Sequence, residues 1–169
     1  FWENVFENKK VIELGSGTGL GGILVDKVFQ PSEVVITDLE QYTAHINHNI
    51  DKNCTSGKCT AAALDWLNID SFTKSIHNKK FDVILALECV YREDLYQALI
   101  DSIIATSTKE SIIFLGLTRL FAKTKFFSLL EVNGILYTRI PKHAMPECLR
   151  NNPENADCGL VLLYFKKDM

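Results

Sequence analysis

No C-x-x-C pair occurs among the five cysteines, Cys54, Cys59, Cys89, Cys148 and Cys158, and this argues against a zinc site. Their odd number and irregular spacing fit reduced thiols, so a cytoplasmic setting, or the nucleus, is expected rather than a secreted disulfide framework. A bilayer-length apolar run is also missing. The longest runs, SIIFLGL at 111–117 and GLVLLYF at 159–165, are strand-length core segments, far short of the roughly 20 residues that span a membrane. There is no basic excess either: the net charge of −3 argues against a nucleic-acid surface, which needs cations for phosphates. Internal repeats and low-complexity segments are absent. The chain opens on Phe1 rather than Met, and residues 1–169 are expected to form a single domain lacking an N-terminal segment of a longer protein.

What is present is the balance of an ordinary globular chain, 47% hydrophobic and 23% charged over 169 residues. Such a length buries about 70% of its unfolded surface and needs no disulfide or metal staple. Strand-like and helical patterns alternate along it. A helix tail at Phe1 to Glu7 leads to strands at Lys10 to Leu14, Glu33 to Thr37, Lys58 to Leu64, Phe81 to Leu87 and Ser111 to Leu117. Helices are expected at Leu20 to Phe29, Gln41 to Asn53, Ser71 to His77, across REDLYQALIDSIIAT, and at Phe121 to Val132. The alternation implies an α/β fold with a parallel sheet and helices on both faces. GILYTRI and GLVLLYF then follow with no helix between them, only the Pro- and Asn-rich Pro141 to Asp157, which reads as a loop. They are expected to pair as an antiparallel hairpin at one side of a mostly parallel, seven-stranded, Rossmann-like sheet.

The densest chemistry follows the first strand, where VIELGSGTGLGG carries five glycines between Gly15 and Gly22. Two readings compete. Gly17, Gly19 and Gly22 match the dinucleotide pattern G-x-G-x-x-G, while Gly15, Gly17 and Gly19 match the G-x-G-x-G of methyl-donor binders. Glu13 separates them, because a carboxylate two residues before the first glycine would repel a pyrophosphate but suits the ammonium and sulfonium of S-adenosylmethionine. The same carboxylate could instead cap amides of the loop.

Further acids stand at successive strand ends, where ligands of open α/β sheets bind. Asp38 follows Gly19 by 19 residues, close to the spacing at which an acid takes ribose hydroxyls, and it could equally cap a helix. In ALDW, Asp65 can accept from an adenine amino group while Trp66 covers the ring or belongs to the core. In ALECVY, Glu88 leaves a buried strand, which is costly without a partner, and Tyr91 can return to the same mouth as an aromatic wall. Neither Asn-Pro-Pro nor Pro-Cys, the usual signatures of nucleic-acid methylation at this point, is present, since Cys89 has no preceding proline. His45 and His48 lie three apart on a helix but lack Cys or acid partners, so they read as solvated and no metal ligand is assigned.

Together these residues resemble the seven-β-strand protein-lysine methyltransferases of the family-16 group. The likeness covers most of the chain: VIELGSGTGLGG, ITDLE, NIDKN at 49–53, LDW, ECVY and KFFSLLEVNGILYTRI are each similar to a family motif. The resemblance implies methyl transfer from S-adenosylmethionine to a lysine of a protein such as a chaperone or translation factor, by a monomer. It implies donor contacts from Glu13, Gly15, Gly17, Gly19, Asp38, Leu39, Asp65, Trp66 and Ala86, with Glu88 and Tyr91 at the target amine. Many members carry Asp where this chain has Glu88, and the sequence starts too late to show the N-terminal segment in which the family commonly has a tryptophan that reaches the donor. Two other classes remain open: a small-molecule or nucleic-acid methyltransferase of the same fold, and a non-catalytic donor-binding module.

Overall fold

The computed structural model describes residues 3–118, 123–144 and 158–166. After a short helix α1 (Glu3–Phe6), five strands alternate with helices: β1 (Lys10–Leu14), α2 (Leu20–Phe29), β2 (Glu33–Asp38), α3 (Glu40–Asn53), β3 (Cys59–Ala63), α4 (Ile69–Ser75), β4 (Phe81–Leu87), α5 (Tyr96–Thr106) and β5 (Ser107–Leu117). Helix α6 (Thr124–Val132) and strands β6 (Ile135–Arg139) and β7 (Gly159–Phe165) follow. No described helix is long and apolar enough to cross a membrane.

Strands β1, β2 and β4 are buried on both faces, which is why they read as continuous apolar runs. Their alternate residues feed two cores. Ile12, Leu14, Ile84, Ala86, Ile113 and Leu115 pack on the face of Phe72, Leu99, Ile103 and Phe126, from α4, α5 and α6. Val11, Val34, Ile36, Val83, Leu85 and Phe114 pack on the other, with Phe6, Ile23 and Ile46 from α1, α2 and α3. Each core thus takes every second residue of the same strands, as the pleat requires.

The sheet runs β3-β2-β1-β4-β5-β7-β6. The expected antiparallel pairing of GILYTRI and GLVLLYF at one side of the sheet holds, and β7 lies between β5 and β6, antiparallel to both, so β6 points the same way as β5. Sequence order gave no sign of this, since the two strands do pair with each other as a hairpin would. Strand β5 also starts earlier than expected, at the polar Ser107, because its pairing with β4 jumps from Phe81↔Ser107 to Val83↔Ile112 across a bulge. Within the connector read as a loop, Lys142–Ala144 form a 3-10 turn, while 145–157, with Cys148, lie outside the described residues. Positions 1, 2, 121 and 122 of the expected helices also lie outside them.

The chain leaves β1 toward β2 and β3 on one side, then returns to place β4 and β5 on the other. That reversal puts a crevice at the carboxyl ends of β1 and β4, the position where such sheets hold ligands.

Candidate active site

A cleft of ≈ 610 Å³ opens at these carboxyl ends, a size that suits a cofactor or drug-sized ligand. Six of the nine expected donor residues line it: Gly15, Gly17, Asp38, Leu39, Asp65 and Trp66, with Tyr91 at the same opening. Gly19, Ala86 and Glu13 do not. Gly19 has φ 82 and caps the start of α2, and Ala86 is fully buried in β4 between Leu14 and Leu115.

Glu13 sits behind the loop rather than in the cleft. Only 3% exposed, it accepts the Gly22 N–H on Oε2 at 2.8 Å, with the Gly21 amide also turned to it. Burial raises its carboxyl to about 7, and these two amides pull in the opposite direction. The arrangement bears on the choice of ligand. The amides at the start of α2 are the donors that a pyrophosphate would use, and Glu13 already occupies them.

Asp38, at the end of β2, holds the loop from the cleft side. Its Oδ2 accepts Gly17 N–H at 2.7 Å and its Oδ1 accepts Leu39 N–H at 2.7 Å. Asp65, just after β3, caps the turn Trp66–Asn68 by accepting Leu67 N–H on Oδ1 at 3.0 Å. Trp66 lies against Gly15 so closely that a Cβ built there would stand 2.8 Å from its Cζ2, and Gly15 has φ +63. Only glycine fits that contact and that backbone. The ring also packs on the α4–α6 side core, so it serves the wall and the core together.

The end of β4 is less buried than the sequence suggested. Glu88 is exposed, so the expected desolvation cost falls away. It has a partner nonetheless, accepting the Thr118 hydroxyl on Oε2 at 2.8 Å. Its φ of 57 is the left-handed region that a non-glycine residue adopts only when its surroundings impose it. Tyr91, 67% exposed, has its ring at the cleft with little covering it. Between them Cys89 is buried, donates its Sγ–H to Leu14 O at 2.9 Å, and is pushed above the ordinary thiol range by burial, so it holds β1 to β4 rather than acting as a nucleophile.

Sequence reasoning missed Tyr42, Leu64, Leu67, Arg92 and Leu95, which together with Cys89 complete the lining. Tyr42 and Leu95 sit on helical turns whose apolar residues look like ordinary core spacing. Arg92, the cationic side chain in this lining, is paired with Asp94. Two cleft carboxylates, glycine amides already engaged and a spoken-for guanidinium fit a ligand that is cationic and rich in hydroxyls, and fit a pyrophosphate poorly. His45 and His48 are exposed on α3 and are not part of this lining, and His45 Nε2 lies 3.4 Å from Asn49 Nδ2. Asn49 in turn donates to Thr18 O at 2.8 Å, tying α3 to the glycine loop.

The sequence profile of the lysine methyltransferase family matches residues 2–133, a span that includes α1 through α6. The chain belongs to this family. EEF1A lysine methyltransferase 3 of Xenopus tropicalis is 35% identical over 113 residues, 66% of this chain and 47% of that protein. Calmodulin-lysine N-methyltransferase of Arabidopsis thaliana is 34% identical over 95 residues, 56% of this chain and 31% of that protein. The match therefore spans less than half the length of either relative. Among solved structures, a ribosomal protein L11 methylase from Lactobacillus delbrueckii subsp. bulgaricus superposes with a TM-score of 0.69 at 14% identity, covering 97% of this chain and 73% of that one. The family's fold is thus shared with methylases of distant sequence, and its lysine-methyltransferase character rests on the profile.

Proposed function

We propose that this chain binds S-adenosylmethionine in the cleft and transfers its methyl group to the ε-nitrogen of a lysine in a protein substrate. The observation that carries the reading is the convergence of Asp38, Asp65 and Trp66 on one cleft whose loop amides Glu13 has already taken. Membership in the lysine methyltransferase family supports the acceptor, and relatives named for EEF1A and for calmodulin support a protein rather than a small molecule. A chaperone or translation factor is the proposed class of partner, with the chain acting as a monomer in the cytoplasm or nucleus. A preceding segment of a longer protein is proposed to complete the donor site.

The donor supplies an electrophilic methyl on a sulfonium, and the chain's work is to bind, align and keep the amine neutral. Asp38, fixed by two amide bonds, presents its carboxylate to ribose hydroxyls. Asp65 uses Oδ1 for the turn and offers Oδ2 to the adenine amino group, while Trp66 covers the ring. Gly15, Gly17 and Gly19 let the backbone approach, and Leu39 and Ala86 fill the wall behind.

A free lysine has a pKa near 10.4, so only about one side chain in two thousand is an unprotonated nucleophile at neutral pH. After the ammonium loses its proton to solvent, Glu88 accepts a hydrogen bond from the neutral amine on Oε1 and aims the nitrogen lone pair at the methyl, while Tyr91 narrows the channel. With the donor bound, its methyl would pass from sulfur to this nitrogen, leaving the neutral thioether, and a second proton would go from the methylated ammonium to solvent. Most of the acceleration comes from alignment.

Calorimetric titration with S-adenosylmethionine, followed by labelled-methyl transfer into a cell lysate, tests the reading. Label in protein, released as methyl-lysine on hydrolysis, is the expected result. Label in nucleic acid or small molecules, or binding without transfer, would overturn it. Glu88→Gln should bind donor as the parent does and transfer at least tenfold more slowly.

A further inference from the structure

Asp26, Cys54 and Cys59 are far apart in sequence and meet at the end of the sheet opposite the cleft. Cys59 opens β3, Cys54 directly follows α3, and Asp26 lies in the second half of α2. One ligand atom from each lies within 4.8 Å of the other two. Asp26 and Cys59 are buried and Cys54 is half-buried. The Ser56 hydroxyl donates to Asp26 Oδ1 at 2.6 Å and in turn accepts Lys58 N–H at 3.1 Å, so the loop between α3 and β3 is folded over the carboxylate. Among the described residues Asp26 makes no ion pair. A buried carboxylate left with hydroxyl and thiol neighbours alone is costly.

We propose that Asp26, Cys54 and Cys59 bind one borderline or soft divalent cation, zinc above all, with a water in the fourth position. Two sulfurs and one carboxylate oxygen are the donor set of a tetrahedral zinc ion and a poor one for calcium or magnesium, which want oxygen alone. The geometry is near closure. Three atoms no more than 4.8 Å apart leave a common centre at most about 2.8 Å from each, against the roughly 2.0–2.3 Å of zinc–oxygen and zinc–sulfur bonds. A contraction of about half an ångström per ligand suffices, and the loop that carries Cys54 has an open-sided Gly57 to absorb it. An ordinary cysteine is a protonated thiol at neutral pH, while the species that binds a metal is the thiolate. Binding therefore releases two protons to solvent, leaving two thiolates and one carboxylate around the ion. A disulfide between Cys54 and Cys59 would use the same sulfurs but leave the buried Asp26 without a counter-charge, which is why the ion is the better account.

The reduced, chelator-treated chain should be titrated with Co²⁺ under argon. One equivalent is expected to raise a thiolate-to-metal charge-transfer band with the intense visible bands of four-coordinate cobalt, and one equivalent of Zn²⁺ should abolish them. Cys54→Ser and Cys59→Ser should each lose the spectrum. Asp26→Asn, which keeps an acceptor for Ser56 and so the loop, should weaken binding at least tenfold with unchanged circular dichroism. Zinc should raise the melting temperature of the parent and not of Asp26→Asn, and should leave donor titrations at the far end of the sheet unaltered. No cobalt spectrum, a spectrum that survives both cysteine substitutions, or equal affinity in Asp26→Asn would each overturn the proposal.

Discussion

Thr118, one residue past the end of β5, donates its hydroxyl to Oε2 of Glu88, one residue past the end of β4, at 2.8 Å. One strand end thus steers the carboxylate of its neighbour. A hydrogen bond of this kind contributes roughly 0.5–1.5 kcal/mol, or about a two- to tenfold change in a rate that depends on it. Thr118→Val should slow methyl transfer by about threefold to tenfold with donor affinity unchanged, and Thr118→Ser should restore it. An unchanged rate in Thr118→Val, alongside a loss in Glu88→Gln, would remove Thr118 from the positioning of the amine.

The Asp38 carboxylate spends one oxygen on Gly17 N–H and the other on Leu39 N–H. Asparagine offers a single acceptor, so Asp38→Asn must abandon one of these bonds and set an N–H₂ against an N–H. A cost of about 1–3 kcal/mol follows for the loop. If ribose hydroxyls also rely on this carboxylate, calorimetry should show S-adenosylmethionine affinity falling by at least tenfold, with the melting temperature lowered by a few degrees.

Gly21 tests how tightly Glu13 is enclosed. Alanine for glycine inside a helix ordinarily stabilises by about 1 kcal/mol, yet a Cβ at Gly21 would lie 2.3 Å from Glu13 Oε1 and 2.9 Å from Leu87 Cδ1. Glu13 is buried and has nowhere to retreat, so the clash wins. Gly21→Ala should lower stability in chemical denaturation, with an unchanged m-value. A stabilised Gly21→Ala would show that the carboxylate moves freely.

Glu13 also sets a pH dependence. Its carboxyl is raised from 4.5 to about 7 in the folded chain, chiefly by burial. Between those values the folded state holds a proton that the unfolded state has lost, so the contribution to stability is full below about pH 4.5, declines as pH rises toward 7, and is gone above it. The decline attributable to this one group is of the order of 3 kcal/mol at most. Glu13→Gln should flatten it, so that parent and variant differ in slope between pH 5 and 7 in urea melts. Parallel slopes would show that Glu13 titrates normally.

The sequence made the sheet legible because β1, β2 and β4 are apolar on both faces, and helical and strand periods alternate cleanly before residue 118. The cleft was legible for a related reason: an acid placed where an apolar run stops must lie at a strand end, and Asp38 and Asp65 do so in the lining, while Glu88 ends β4 without lining the cleft. Glu13 was readable either as a ligand to the donor or as a cap on nearby amides, and the choice of the second lay outside the sequence, since its rotamer depends on the Gly21 and Gly22 amides of the next helix. The insertion of β7 beside β5 was hidden because strand order is a long-range choice that local patterning does not encode. Asp26, Cys54 and Cys59 were invisible for the same reason: no linear spacing relates them, and only the parallel winding of α2, α3 and β3 makes them neighbours.

The place of β7 has a consequence for how the molecule is made. Strand β6 is synthesised before β7 but among the described residues pairs with β7 alone, and β5 gains its second neighbour only when Gly159–Phe165 arrives. The strands β1 to β5 can therefore assemble on the growing chain while β6 waits, its edge unpaired, until the last strand slides in and joins them. During that interval the β5 edge that later pairs with β7 is open to other chains, so removal of Gly159–Phe165 should lower solubility in expression.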